Sequence, residues 1–344
     1  MDKRLILSVA GSGKTSFIID QLSLETRSLL ITYTNNNYDN LRKKVVDKFG
    51  YIPESISIYT YFNFLYNFCL KPYLYLKLPA KGINWNTPPE FTQRLKRNNI
   101  RFYIDSNGKL YHNRIARLLD ESNIYDKINN RIEKYYDNLF IDEIQDYGGH
   151  DFNFILNLVR SNVRICLVGD FFQHTFDTSS DGNVNKTLYS NLDKYKKKFT
   201  TAGITVDCCT LSNSYRCSPN ICAFIQSELN IPISSHRQDE TKIQFIDTPE
   251  QIQQLVNCKD TVKLFYQNHH KYTCFSENWG ASKGIDSYND VCVVLNKSTY
   301  DLFKRNALID MNVKTMNKFY VACTRARRHL YFIPEVLIKP ICKG

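Results

Sequence analysis

Eight residues near the start, Ser8-Val9-Ala10-Gly11-Ser12-Gly13-Lys14-Thr15, constrain the fold more than any other stretch. An apolar run, Leu5-Ile6-Leu7, precedes them, and residues 16–22 read as a helix. Strand, glycine-rich turn and helix in that order make a phosphate-binding loop. Gly11 and Gly13 let backbone N–H groups turn inward around phosphate oxygens, with Ser12 between them. Lys14 reaches the outer phosphates, and the Thr15 hydroxyl is a ligand for Mg²⁺. The first position of the common pattern, a glycine elsewhere, is Ser8 here.

The 344 residues are enough for two or three cores. Lys and Arg number 45 against 34 Asp and Glu, a net charge of +11, which suits a polyanionic partner. No apolar run approaches the ~20 residues that span a bilayer, so no membrane role is expected. Lys3-Arg4 followed by residues 5–10 is too short for a signal peptide and runs into the phosphate loop. Eleven cysteines, without framework spacing, fit free thiols and a cytoplasmic location. The clusters Cys208, Cys209, Cys217, Cys222 and His269, His270, Cys274 lack the spacing of a zinc site.

Along the chain, residues 28–33 read as a second strand, ending in Thr34-Asn35-Asn36-Asn37 before a helix over 38–49. A polar cluster at a strand's C-terminal end is where open α/β sheets bind ligands, and it serves equally as a helix cap. Residues 60–70 carry Tyr61, Phe62, Phe64, Tyr66 and Phe68, aromatics that stack on bases or pack a core. Residues 71–137 change character, with four prolines and then Arg94, Lys96, Arg97 and Arg101. They read as a mostly helical insertion.

Leu139-Phe140-Ile141 forms a buried strand ending in Asp142-Glu143. Adjacent acids there suit Mg²⁺-dependent hydrolysis: one carboxylate holds the metal, and the other orients or deprotonates the attacking water. A strand over 163–168 ends in Gly169-Asp170, and Gln173 follows, placed to sense a γ-phosphate. Residues 181–198 read as a surface helix. A second α/β unit starts near Thr205, with further strands over 243–246, 262–266 and 291–295.

The ordered set resembles the UvrD/Rep-type superfamily 1 helicases. Seven motifs carry the resemblance: the phosphate loop, Thr32-Tyr33-Thr34-Asn35, Asp142-Glu143-x-Gln145-Asp146, Gly169-Asp170-x-x-Gln173, Tyr215-Arg216, Ser282-Lys283-Gly284 and Tyr320-Val321-Ala322-x-Thr324-Arg325-Ala326. It implies two RecA-like parallel-sheet domains, 1–204 with the insertion 71–137 and 205–344, binding ATP and Mg²⁺ between them. It implies that Asp142 holds Mg²⁺, that Glu143 is the catalytic base, and that Gln173, Arg216 and Arg325 reach the γ-phosphate, while Tyr215 stacks on adenine and Asp286 contacts the ribose. Thr34, Asn35 and Phe176 match positions along a path for single-stranded DNA.

The chain departs from the family in three places. Phe176 is followed by Asp177-Thr178-Ser179-Ser180 rather than Trp-Arg-Gly-Ala, which weakens base stacking, and Gly280 replaces a histidine. Roughly 65 residues separate Arg216 from Gly280, leaving no room for the family's large second insertion. The chain is similar in this to compact relatives such as the helicase-like subunit of Gabija-type antiviral defence systems, which work beside a nuclease. The expectation is an ATP-dependent single-stranded DNA translocase or helicase, moving 3′ to 5′. The alternative is a DNA- and ATP-sensing subunit that switches a partner nuclease without processive unwinding.

Overall fold

Strands buried along their whole length mark the centre of the first sheet, as a parallel strand covered on both faces requires. The computed structural model describes residues 2–78, 80–175 and 182–342. The chain forms two compact units. One comprises Met1–Ile6, Thr15–Gly169 and Phe176–Asp207, and the other Leu7–Lys14, Asp170–Thr175 and Cys208–Gly344. Among the described residues no helix is long and apolar enough to cross a membrane.

In chain order the strands of the first unit are β1 (Lys3–Leu7), β2 (Ser28–Thr32), β3 (Ile56–Thr60), β4 (Ile83–Asn84), β5 (Leu110–Tyr111), β6 (Asn138–Ile141), β7 (Arg164–Gly169) and β8 (Thr205–Asp207). Six of them make one sheet in the order β3-β2-β6-β7-β1-β8, and β4 pairs with β5 alone. The pairings β2–β3, β2–β6, β6–β7 and β1–β8 are all parallel. β2 and β6 are buried at every residue. The sequence reading began the second unit at Thr205. The strand there is the outer member of the first sheet, with Leu5 opposite Val206. The Asn35–Phe49 helix begins where the Thr34 hydroxyl accepts the Asn37 N–H, and ends at Gly50, whose φ of 81° needs glycine.

The aromatic stretch after β3 mostly packs the core: Tyr61, Phe62, Phe64 and Phe68 are buried. Its Phe64–Leu70 segment is a π-helix. The insertion holds helices at Lys71–Leu74, Ile115–Glu121 and Tyr125–Tyr135, three 3₁₀ turns and the β4–β5 ribbon. Its basic residues are partly structural. The buried Arg114 guanidinium lies 3.8 Å from the Phe102 ring centre, and that of Arg97 lies 4.1 Å from it. Arg114 also donates to Thr92 Oγ1 at 2.9 Å and to the Phe102 carbonyl at 2.7 Å. Cation–π contact and charged hydrogen bonds replace the water a buried arginine loses. The expected helix over 181–198 is confined to Leu192–Thr201, because Asn191 caps it by accepting the Lys194 N–H.

The second unit adds β9 (Asn213–Ser214), β10 (Ser234–Ser235), β11 (Ile243–Phe245), β12 (Thr261–Phe265), β13 (Ser276–Asn278), β14 (Asp290–Leu295) and β15 (Leu330–Pro334). Five of these form a parallel sheet in the order β11-β15-β14-β12-β13. Trp279 is fully buried against Tyr266 and Phe319, and its indole N–H donates to the Leu264 carbonyl at 2.8 Å. A tryptophan buried this way has no unpaired polar atom.

Replacing Arg114 with Ala removes the hydrogen bonds to Thr92 and Phe102 and the contact to the Phe102 ring, a loss of about 2–3 kcal/mol. The loss is local, so limited proteolysis should cut the insertion several-fold faster than in wild type. Trp279 emission should not change. An unchanged cleavage rate would mean that the arginine does not hold the insertion together.

Candidate active site

Two carboxylates follow β6. Asp142 is buried, and its Oδ1 accepts the Glu143 N–H at 2.9 Å. Its Oδ2 accepts from the Thr15 hydroxyl at 3.4 Å, across 127 residues of sequence. That is longer than the ~2.7–2.8 Å of an ordinary hydroxyl donor. Neighbouring ligands of one Mg²⁺, each about 2.1 Å from the ion in an octahedron, lie about 3 Å apart. The Thr15 and Asp142 oxygens stand 3.4 Å apart, somewhat wider than that spacing.

Glu143 has φ 54° and ψ 45°, a left-handed conformation uncommon outside glycine. Gln145 donates its side-chain amide to the Glu143 carboxylate. The turn lies so close to the end of β7 that Gly169 is obligatory. A Cβ there would stand 2.6 Å from Ile144 Cγ2 and 3.0 Å from the Ile144 nitrogen. At the end of β2, Thr34 is engaged as the helix cap at 3.2 Å, and Asn35 is exposed beside it. Phe176 lies outside the described residues.

In the second unit the glycine-rich loop is pinned at several points. Val9 donates to the Leu211 carbonyl at 3.0 Å, and Tyr215 donates to the Gly11 carbonyl at 2.9 Å. Gly11 has φ 71°, and a Cβ on it would lie 2.6 Å from Arg216 Cβ. Gly13 has φ 84°, and Lys14 opens the helix Lys14–Asp20. The Ser12 hydroxyl is buried and has no hydrogen-bond partner among the described residues. A buried polar atom of that kind is costly unless a ligand satisfies it.

A relay unassigned by the motifs starts at the same loop. The Ala10 N–H donates to the Tyr320 oxygen at 2.9 Å, and the Tyr320 hydroxyl donates to Asp170 Oδ2 at 3.0 Å. Gln173 donates to the same carboxylate oxygen at 3.0 Å, and Phe172 N–H donates to the other at 3.1 Å. Burial raises the pKa of Tyr320 well above the ordinary phenol value, so it keeps the proton it donates. Tyr320 stood in a matched motif, but nothing in the sequence gave its hydroxyl a task.

Arg216 and Arg325 share one carboxylate. Arg216 forms an ion pair with Asp286 and donates to the Thr324 carbonyl at 3.3 Å. Arg325 reaches the same Asp286 oxygen at 3.5 Å and the Ile285 carbonyl at 3.2 Å. The structure thus brings together the three residues Arg216, Arg325 and Asp286. Tyr215 lies flat on His236, 4.0 Å between ring centres and 13° between planes. The sequence offered no sign of that histidine.

The fold is two parallel-sheet α/β units, with paired acids at the end of one strand, β6. Residues 107–334, about two thirds of the chain, match the family described as the viral superfamily 1 RNA helicase core domain. The chain belongs to that family. The matched span begins after the phosphate loop. No curated protein matches the chain.

Among solved structures, arterivirus nonstructural protein 10 (helicase) in complex with DNA is similar over 98% of this chain and 62% of that one, at 13% identity and a TM-score of 0.52. The PRRSV helicase is similar over 99% and 54%, at 14% identity and a TM-score of 0.46. The chain therefore spans between 54% and 62% of the length of those two proteins. Superfamily 1 is the level at which the family match and the UvrD/Rep-type motifs agree.

Replacing Tyr320 with Phe keeps the volume but strands the Ala10 N–H and takes one donor from the Asp170 carboxylate. Stability in urea should fall by about 1–3 kcal/mol. A variant as stable as wild type would show that the hydroxyl does not bridge them.

Proposed function

We propose that the chain is an ATP-driven motor that moves along single-stranded nucleic acid. The observation that carries this is the Thr15–Asp142 hydrogen bond, which joins a phosphate-loop hydroxyl to the first of two adjacent acids. Thr15 and Asp142 would hold Mg²⁺, which neutralises phosphate charge when bound. Lys14 and the loop N–H groups bind the phosphates. Glu143, held by the Gln145 amide, accepts the proton of the attacking water. Arg216 and Arg325 stabilise charge that develops on the transferred phosphoryl group. Tyr215, backed by His236, offers its ring to the base. Gln173 acts through Asp170, where its amide is engaged.

DNA as the strand, and travel from 3′ to 5′, rest on the UvrD/Rep-like motifs Tyr215-Arg216 and Tyr320-Val321-Ala322-x-Thr324-Arg325. The net charge of +11 supports a polyanionic track of either sugar.

Single strands should stimulate ATP hydrolysis, more with DNA than RNA, and the stimulation should fall steeply as salt rises. Glu143→Gln should lower kcat about 10²–10⁴-fold while leaving the nucleotide Kd near wild type. Steady-state ATPase rates and nucleotide titrations on both proteins decide this. Wild-type turnover in Glu143→Gln would remove that residue as the base. A rate indifferent to every oligonucleotide would contradict a strand-driven motor.

A further inference from the structure

The chain has two tryptophans, and they stand in opposite surroundings. Trp279 is fully buried, whereas Trp85 in the insertion is 60% exposed. Leaving so large an apolar ring in water is unfavourable unless something covers it. The exposed ring is nevertheless fixed. β4 and β5 run parallel with Ile83 opposite Leu110 and Asn84 opposite Tyr111, so the next residues, Trp85 and His112, fall side by side. Their rings stack at 5.6 Å and 29°. Phe62 meets the indole edge-on at 4.9 Å and 88°, and meets His112 at 5.7 Å. His112 is half-buried and its ring nitrogen lies 3.3 Å from the Asn84 carbonyl. Burial lowers its pKa, so the imidazole beside the indole is neutral at pH 7.

Phe62 also contacts Tyr33 at 5.6 Å, and Tyr33 directly precedes Thr34 and Asn35 at the end of β2. The aromatic contacts therefore run from the strand ends out to Trp85. The surrounding segment, residues 80–111, carries Lys81, Arg94, Lys96, Arg97, Arg101 and Lys109 against Glu90 and Asp105. Arg97 is committed to Phe102, but Arg94, Lys96 and Arg101 are exposed. A rigid exposed ring set in a basic segment matches the two parts of single-strand recognition: a stacking face for bases and cations for the backbone.

We infer that Trp85, backed by His112 and Phe62, is a base-stacking platform for single-stranded nucleic acid on the insertion. The inference rests on the strand-binding reading above and names a contact outside the seven matched motifs. Because the ring is already fixed, stacking on it immobilises little that is free. Stacking takes any base and either sugar, so the platform adds affinity without sequence preference.

Intrinsic fluorescence tests this on the whole chain, since only Trp85 is open to a base. Whichever of oligo(dT) and oligo(U) binds the wild type should quench its emission. Trp85→Phe should abolish the quench and retain most of the affinity, because phenylalanine keeps a stacking face. Trp85→Ala should bind about 5- to 100-fold more weakly, the equivalent of ~1–3 kcal/mol for one stacked base. Its Trp279 emission should stay as in wild type, which reports that the second unit is folded. His112→Ala should also weaken binding, by loosening the indole.

Binding is followed independently by anisotropy of labelled oligonucleotide. If the oligonucleotides bind wild type, Trp85 emission does not change and Trp85→Ala binds with the wild-type Kd, the platform is overturned and the motor stands. If neither oligonucleotide binds wild type, both readings fall.

Discussion

The hydrogen bond from Thr15 to Asp142 is the contact on which the catalytic account depends. It joins the last residue of the phosphate loop to the residue that follows β6. The first sheet makes this possible. Its order β3-β2-β6-β7-β1-β8 sends the chain from β1 to one side through β2 and β3, then back through β6 and β7. The direction changes after β3, and the carboxyl ends of the strands are where such sheets bind ligands. β7 lies between β1 and β6, and its last residue, Gly169, admits the 142–146 turn only because it has no side chain. One glycine, one left-handed glutamate and one buried aspartate thus fix the position of two adjacent carboxylates.

The second unit solves a different electrostatic problem. Arg216 and Arg325 are held close together on one carboxylate. Like charges at that spacing repel, and the repulsion is strong where water is scarce. Asp286 meets both guanidiniums and supplies the missing negative charge, while backbone carbonyls of Ile285, Val321 and Thr324 take further N–H groups. Asp286 is well exposed, so solvent moderates the pairing and it is no rigid lock. The Ala10–Tyr320–Asp170–Gln173 relay ties the loop to the Val313–Cys323 helix, just beyond which Arg325 lies.

Much of this was legible in the sequence because it is local. β2, β6, β12 and β14 are buried at every residue and read as short apolar runs. The phosphate loop and the Asp142-Glu143 pair each lie within a few residues of a strand end. What stayed hidden is non-local. β8 is three residues, Thr-Val-Asp, and only its pairing with β1 reveals its sheet. Nothing local in the insertion marks Arg97 and Arg114 as the cations that face the Phe102 ring. Tyr320 and Asp170 lie 150 residues apart. Asp286, given a ribose contact by resemblance, meets two arginines distant in sequence, which no local pattern announces.

The central claim is that Thr15 and Asp142 act as one cation-holding pair. A double-mutant cycle with Thr15→Val and Asp142→Asn, read as affinity for ATP with Mg²⁺ and again with EDTA, measures it directly. If they share one ion, the double variant should bind Mg²⁺-ATP about as weakly as the worse single variant, a coupling above about 1 kcal/mol that vanishes in EDTA. Losses that simply add with Mg²⁺, or a coupling that persists in EDTA, would contradict the account.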